Sequence, residues 1–394
     1  MRFYVLSMPH PWEHISKPVP MAGQSTELYQ RTLEATIEHA KVCEEYGFEG
    51  IFFSEQHGDI EGSLEITSNP IQLDLFVASH TERIMVGQLG NVLPVANPLL
   101  VADQVAQLDQ MTKGRVLAGF TRGNSPRWVD SFGQQIAMRA TRSDKSEADE
   151  RNLRALIEAW EVIKLAWTQD TFSFKGEFWE FPVAGTKWPY PPTKEWGKGV
   201  DDDDNQLELG IAPRPYQTPH PRIFAPMSGR ATTQKFWATQ GATCVSLAPN
   251  MDLNKGLLRI YHEHAENEGR PYGRGEGLIV GGSCTIASDE AEARRRTEEW
   301  KEWDEKYFGC PPFNLPHPIN FNGTPDQVVE QIGNMHEDLG VEEFIIMDYY
   351  GAPHGYEISL EMLHLFGSEV LPQVDGVSTD PGSAYREERV AQAV

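Results

Sequence analysis

The sequence predicts an α/β protein, a (β/α)8 TIM barrel with insertions. Three observations carry this. Eight short apolar runs have the composition of strands buried on both faces. Most are followed by a segment of helical period with its own cap signals, and none by a GxGxxG turn, which disfavours a doubly wound sheet. The 394 residues are enough for one large barrel.

Arg2 to Met8 is the first strand, followed by a loop, His10 to Gln24, that holds Pro11, Trp12, Pro18 and Pro20. A helix starts at Ser25 or Thr26 as N-cap, buries Leu33, Ile37 and Ala40, and stops near Gly47. Gly50 to Ser54 is the second strand and delivers Glu55-Gln56-His57-Gly58 from its end; a helix near Asn69 to His80 follows. Ile84 to Gln88 is the third strand. Asn97-Pro98 reads as an N-cap with proline at the first helical position. That helix buries Val101, Val105 and Leu108, turns Leu100, Gln104, Gln107 and Met111 outward, and ends at Thr112-Lys113-Gly114. Val116 to Phe120 is the fourth strand, joined to the third by a right-handed crossover.

Ser146, with Asp149 three residues on, opens a helix that reaches about Trp167 and carries Leu153, Leu156, Ile157, Trp160 and Ile163. Phe172 to Phe181 alternates as a hairpin. Val183 to Pro221 shows no period and is rich in Pro, Trp, Gly and acid; at that length a lid insertion is expected. The rhythm resumes with strands at Arg222 to Ala225, Thr243 to Leu247, Gly277 to Thr285 and Glu343 to Met347. Helices follow them: one opened by the turn Met227 to Thr233, Met251 to Glu268, a charged helix capped by Ser288 and ending near Lys306, and Glu357 to Leu371. Thr324-Pro325-Asp326-Gln327 is a capping box whose helix buries Val328, Ile332, Met335 and Leu339. The expected organisation is a single barrel domain over 1–374, a lid at about 183–221, a smaller insertion at about 307–322 and a tail, 375–394.

Composition narrows the partners. There are 34 Lys plus Arg against 58 Asp plus Glu, and the net charge of -24 repels nucleic acid and anionic membranes. Cys43, Cys244, Cys284 and Cys310 lack zinc-like spacing and read as reduced thiols of a cytoplasmic protein. The apolar start is too short for a signal-peptide core or a membrane span. His262-x-His264 has no third ligand and Asp201 to Asp204 reads as a solvated acidic run, so no metal site is assigned.

In parallel barrels ligands gather at the carboxyl ends of the strands. Candidate site residues are therefore Leu89, Gly90 and Asn91 after the third strand, Thr121 to Asn124 after the fourth, and Glu55 to His57 after the second. A guanidinium such as Arg122 is a natural partner for phosphate, the plain alternative being an ion pair with one of the many acids. His57, beside Glu55, suits a substrate contact, the alternative being a histidine simply hydrogen-bonded at a strand end. His10 and His14 flank Trp12 and are candidates to line the pocket.

Glu55-x-His57, VGQLGNVLPVANP, LDQMTKGR, Thr121-Arg122-Gly123 with Phe132-Gly133, and Asn322-Gly323-Thr324-Pro325 together resemble the bacterial luciferase-like flavin monooxygenases. Order and spacing agree over nearly the whole chain apart from the lid and the insertion near Cys310. The resemblance implies a barrel, often dimeric, that takes reduced FMN from a separate NAD(P)H:flavin reductase and uses O2 to oxygenate a small organic substrate through a flavin C4a-peroxide. It implies a non-proline cis peptide at Leu89-Gly90 behind the flavin ring, with Asn91 beside it. It also implies a phosphate site formed by Arg122 and the turn Ser228, Gly229, Arg230, Ala231 and Thr232, in which Ser228 and Thr232 are alternatives for one hydroxyl role. Gln56 occupies the position of the luciferases' catalytic histidine and cannot serve as a base near neutral pH. Thr121 occupies the position of their reactive thiol and has a hydroxyl to donate toward the flavin. Gln56, His57 and Thr121 are accordingly the residues expected at the chemistry, with Trp12, Phe53, His57 and Trp128 lining the pocket for an apolar or aromatic substrate. A homodimer is expected. Within the same fold the alternatives are an F420-dependent hydride-transfer enzyme and a non-catalytic flavin-binding subunit; hydroxylation and Baeyer–Villiger insertion are both open.

Overall fold

The computed structural model describes residues 1–11, 19–226, 231–349 and 353–374. Trp12, His14, Ser228, Gly229, Arg230 and the tail 375–394 lie outside the described residues. In chain order the strands are β1 (Arg2–Ser7), β2 (Gly50–Phe53), β3 (Met85–Gln88), β4 (Asn91–Val92), β5 (Val116–Thr121), β6 (Phe174–Lys175), β7 (Glu180–Phe181), β8 (Arg222–Pro226), β9 (Thr243–Ser246), β10 (Leu278–Ile286), β11 (Ile319–Gly323) and β12 (Glu343–Asp348). The helices are α1 (Thr26–Tyr46), α2 (Pro70–Ala78), α3 (Pro98–Met111), α4 (Pro126–Phe132), α5 (Glu147–Thr168), α6 (Pro191–Trp196), α7 (Ala231–Gln240), α8 (Met251–Asn267), α9 (Glu290–Tyr307), α10 (Pro325–Leu339) and α11 (Tyr356–Leu365).

Eight strands close on themselves in the order β1-β2-β3-β5-β8-β9-β10-β12, with β12 returning to β1. Tyr4 stands in register with Ile345 on one side and Gly50 on the other, both pairings parallel. This is the (β/α)8 barrel expected from the eight apolar runs. The chain forms two compact units. One contains Met1–Asn91, Leu117–Phe120 and the residues from Arg222 onward; the other contains Val92–Val116 and Thr121–Pro221.

The barrel interior is filled by alternate residues of successive strands. Tyr4, Leu6 and Met8 of the β1 segment meet Phe52, Met85, Leu117, Phe224, Val245, Ile279 and Ile345 in one cluster. The Phe52 ring lies 5.0 Å from Phe224 and 5.7 Å from Tyr4. At the amino-terminal end of the strands Glu343 receives Arg222 at 2.7 and 2.9 Å, Arg2 at 2.8 Å and the Tyr4 hydroxyl at 3.0 Å. Burial opposes ionisation there, yet the Arg222 and Arg2 guanidiniums and the Tyr4 hydroxyl hold Glu343 at about 2.

The other unit is built on α3 and α5. Trp167 Nε1 donates to the Ala102 carbonyl at 3.0 Å, and Asp109 of α3 receives the amide and side chain of Gln217, each at 2.8 Å. Val101, Val105 and Leu108 are buried while Leu100 and Met111 are more than half exposed, as the helical period requires. The 183–221 segment carries the short helix α6 and two isolated bridges, Lys187 to Asn205 and Val200 to Gln206. Lys194 pairs with Asp204 at 2.6 Å, and Lys187 donates to the Asp203 carbonyl at 2.9 Å, so lysines meet the acidic run.

Most cap signals are realised. Ser25, Asn69, Asn97 and Ser146 accept from main-chain amides of the first turn, and Thr324 with Gln327 forms the capping box. Corrections are local. Asp289 rather than Ser288 caps α9, accepting from Glu292 N at 3.0 Å, because a carboxylate one residue later reaches the same amides. The buried face of α1 is Thr32, Ala35, Thr36, His39 and Ala40; Leu33 and Ile37 are half-buried. Thr32 and Thr36 donate to carbonyls one turn back, and His39 Nδ1 lies 2.7 Å from Asp348, which lets polar residues occupy that face. Part of the 307–322 segment forms β11, which extends the sheet beside β10.

Candidate functional site

The carboxyl ends of the barrel strands carry most of the polar side chains singled out in the sequence. Strand alternation decides which of them face the axis. Phe52 belongs to the interior cluster, so Phe53, fully buried, faces the helix side; Ser54, next on the inner parity, stands at the mouth. Phe53, expected in the pocket, thus lies on the outward parity of β2. An all-apolar strand such as GIFF is buried on both faces, so its phase is not legible in sequence.

Beyond Ser54, His57 Nε2 lies 2.9 Å from Glu55 Oε1, both side chains partly exposed. The Gln56 amide donates to the Thr67 carbonyl at 2.8 Å and Ile66 N to the Pro9 carbonyl at 2.8 Å, so residues 65–67 return across the ends of β1 and β2. This return places Glu65 inside the mouth at 1 % exposure. Its Oε1 accepts from the Ser54 hydroxyl, while Oε2 and the Thr67 hydroxyl are buried without a hydrogen-bond partner. Burial raises the Glu65 carboxyl to about 7; Ser54 pulls it down in part, and Asp59 adds to the rise. His10, at the end of β1 and 1 % exposed, is pushed to about 4 chiefly by burial, so it is neutral at pH 7.

At the end of β3 the Leu89-Gly90 peptide is cis, as the resemblance implied. Leu89 belongs to the interior cluster at 5 % exposure. Gln88, on the outward parity, donates its side-chain amide to Asp74 of α2 and accepts from the Asn91 side chain at 3.0 Å; Asn91 also donates to the Gly119 carbonyl at 3.2 Å. Burial, only partly countered by Gln88, pushes the Asp74 carboxyl well above the usual carboxylate range. This relay occupies the polar groups behind Leu89 and Gly90. Gly119 has no space for a side chain, since a Cβ there would lie 1.7 Å from the Gln88 carbonyl.

Arg122 follows β5 on its outward parity and is 2 % exposed. Its Nε donates to Asn152 at 2.9 Å and its Nη2 to the Asp149 carboxylate at 2.8 Å and to the Asp149 carbonyl. An ion pair with an acid was the alternative to a phosphate role, and the pair present is buried rather than superficial. Thr121 is half-buried on the inward parity of β5. Trp128, expected in the pocket, is 4 % exposed and packs with Val92, Val129 and Ala140 in the core of its own unit. Ala231 and Thr232 are exposed at the start of α7, whereas Thr233 is buried with its hydroxyl unpartnered. Glu65 and Asp74 were not singled out in the sequence; a carboxylate in a loop or on a helix carries no local sign of burial.

Near the ends of β10 and β12, Ser283, Cys284, Trp300, Tyr349 and His354 line a small cavity of about 20 Å³. Asp348 there binds His39 and the Ser359 hydroxyl. Among the described residues no three His, Cys, Asp or Glu side chains converge in metal-binding fashion, and no helix is long and apolar enough to cross a membrane.

Comparison with known proteins agrees with the barrel fold. A family model described as luciferase-like monooxygenase matches residues 1–310. An alkanal monooxygenase alpha chain of Photobacterium leiognathi is 34% identical over 364 residues, covering 88% of this chain and 95% of that one. One from Photorhabdus luminescens is 24% identical over 236 residues, 59% of this chain and 53% of that relative, so the match spans about half the relative's length. Among solved structures, the oxygenating constituent of 3,6-diketocamphane monooxygenase of Pseudomonas putida, in complex with FMN, superposes with a TM-score of 0.69 at 19% identity, covering 95% of this chain and 99% of that one. At that identity the likeness speaks to the fold.

Proposed function

The chain belongs to the luciferase-like monooxygenase family, and on that premise we propose that it is a two-component flavin-dependent monooxygenase. It takes reduced FMN from a separate reductase and uses O2 to oxygenate a small apolar or aromatic substrate. The observation that carries this reading is the relay Asp74–Gln88–Asn91–Gly119, which commits the polar groups behind Leu89 and Gly90 and leaves an apolar backing at the barrel mouth. A planar ring stacks on such a surface. The unpartnered Glu65 Oε2 and Thr67 Oγ1 suit the edge of a heterocycle that both donates and accepts hydrogen bonds.

When bound, reduced FMN supplies the two electrons that O2 requires. Leu89, Gly90 and Asn91 orient the ring from behind. Ala231 and Thr232, at the amino-terminal turn of α7, contribute amides and a hydroxyl to the phosphate, together with Ser228 to Arg230. Arg122 acts as a positioning residue in this reading, since its guanidinium ties the end of β5 to α5 through Asp149 and Asn152. His57, oriented by Glu55, contacts the substrate, and Thr121 offers its hydroxyl from the inward parity of β5. The 183–221 segment is the proposed lid, and a homodimer the proposed assembly.

Anaerobic titration with reduced FMN, followed by admission of O2 in a stopped-flow instrument, tests the reading. The expected result is saturable binding of reduced FMN and a return of oxidised-flavin absorbance slower than that of the unbound cofactor. Failure to bind FMN in either redox state, with binding of F420 instead, would overturn it.

A further inference from the structure

Position 56, just beyond β2, holds glutamine, whose amide cannot exchange a proton near neutral pH. Nine residues on, the chain folds a carboxyl group back into the same mouth. Ser54 continues the inward parity of Phe52, and its hydroxyl donates to Glu65 Oε1. Thr67 and Ile66 tie the returning loop to Gln56 and Pro9, so Glu65 is fixed over the ends of β1 and β2 at 1 % exposure. Its Oε2 is buried with no hydrogen-bond partner, an arrangement that is costly for a carboxylate but suited to a neutral acid whose O–H points at a ligand.

We propose that Glu65 is the acid–base group of the barrel mouth, with Oε1 held by Ser54 and Oε2 carrying the proton that the oxidation consumes. The proposal rests on the flavin monooxygenase reading. Oxidation of the reduced flavin anion by O2 with insertion of one oxygen atom into substrate yields oxidised flavin, product and water, and consumes one proton from outside the flavin. Without substrate the same two electrons convert O2 to hydrogen peroxide, again with one outside proton. Glu65 supplies it: its Oε2–H bond breaks, an O–H bond forms on the departing oxygen, and the carboxylate left behind is reprotonated from solvent. The groups that face the carboxyl are Ser54 from the end of β2, Asp59 from its own loop and Tyr349 from beyond β12. None of them is a cation that would hold the ionised form, and burial places the titration near neutrality, where an acid–base group works best.

The test uses the full chain and its Glu65→Gln, Glu65→Asp and Ser54→Ala variants. Difference infrared spectroscopy of the protein without flavin is expected to show a protonated-carboxyl stretch that titrates near pH 7 and vanishes in Glu65→Gln. Glu65→Gln is expected to bind reduced FMN more weakly, since it loses an acid at the ring edge, and is saturated with the cofactor under anaerobic conditions before O2 is admitted. Its reoxidation by O2 should slow by about 100-fold and lose the inflection near neutral pH, with Glu65→Asp recovering part of both. Ser54→Ala should shift the inflection upward without abolishing it. No titrating carboxyl, or a Glu65→Gln profile identical to wild type, overturns the proposal. Loss of reduced-FMN binding by the wild type would instead overturn the reading it rests on, which separates the two failures. Should Glu65→Gln not fold, the infrared titration and the Ser54→Ala shift still decide.

Discussion

Arg122 donates from Nη2 to the Asp149 carboxylate across 2.8 Å, with both side chains almost fully buried. The carboxylate also receives the Thr141 hydroxyl at 2.6 Å and the Ser143 and Lys145 amides at 3.2 and 3.1 Å, so one acid organises the approach to α5. Removing one partner of such a pair leaves the other charge buried. Asp149→Ala is expected to cost about 3–5 kcal/mol. Urea unfolding followed by tryptophan fluorescence measures it; a shift below about 1 kcal/mol would show that the pair contributes little.

Glu343 and Glu65 give stability opposite pH dependences. Glu343 is held at about 2 against an ordinary 4.5, so its contribution is complete above pH 4.5 and is lost as pH falls through 2. Glu65 is raised to about 7, so it carries no penalty below 4.5 and an increasing one as pH rises to 7. Each amounts to about 3 kcal/mol at one kcal-scale step per pKa unit. Asp74, also raised, acts in the same direction as Glu65. Melting curves across pH should therefore show Glu65→Gln more stable than wild type at pH 8 and equal to it at pH 4. Glu343→Gln should be less stable at pH 7 and nearly equal to wild type at pH 2. Parallel curves would contradict both assignments.

Gly119→Ala and Gly256→Ala should diverge. A Cβ at Gly119 would meet the Gln88 carbonyl at 1.7 Å, and Gln88 is anchored by Asp74 and Asn91. The strand must shift, and a loss of about 3 kcal/mol or more is expected. Gly256 lies inside α8 with nothing within 4 Å of the added atom, so alanine there should stabilise by up to about 1 kcal/mol. Thermal melts of the two variants are the check, and equal effects would refute the packing argument.

Thiol labelling should separate the four cysteines. Cys43 and Cys244 are buried, and burial raises both thiols. Cys284 lines the small cavity beside Trp300 and Tyr349, with its thiol pushed up to about 12 by burial. Cys310 is partly exposed in the turn after α9. A fast phase with a thiol reagent under native conditions should account for one equivalent and disappear in Cys310→Ser; a fast phase that survives would place the reactive thiol elsewhere.

The pattern of agreement follows from the range of the forces involved. Eight apolar runs and the caps at Ser25, Asn97, Ser146 and Thr324 are local signals, and each appears in the structure within a residue or two. On α1 Ala40 is buried as its period predicts, but Leu33 and Ile37 are displaced from the buried face by Thr32, Thr36 and His39, polar residues whose partners lie a turn away or, for His39, at Asp348. Hydrophobicity does not reveal them.

By itself, then, the sequence determined a parallel eight-stranded barrel and where its strands and helices begin and end. Local period and capping suffice for that, because every strand of such a barrel must be apolar and every crossover helix must begin and end. Only the tertiary structure decided that Phe52 rather than Phe53 faces the axis, that Arg122 pairs with Asp149, and that Glu65 is a buried acid beside Ser54. Burial and charge pairing join residues distant in the chain, and no spacing within the sequence encodes which carboxylate will be taken out of water.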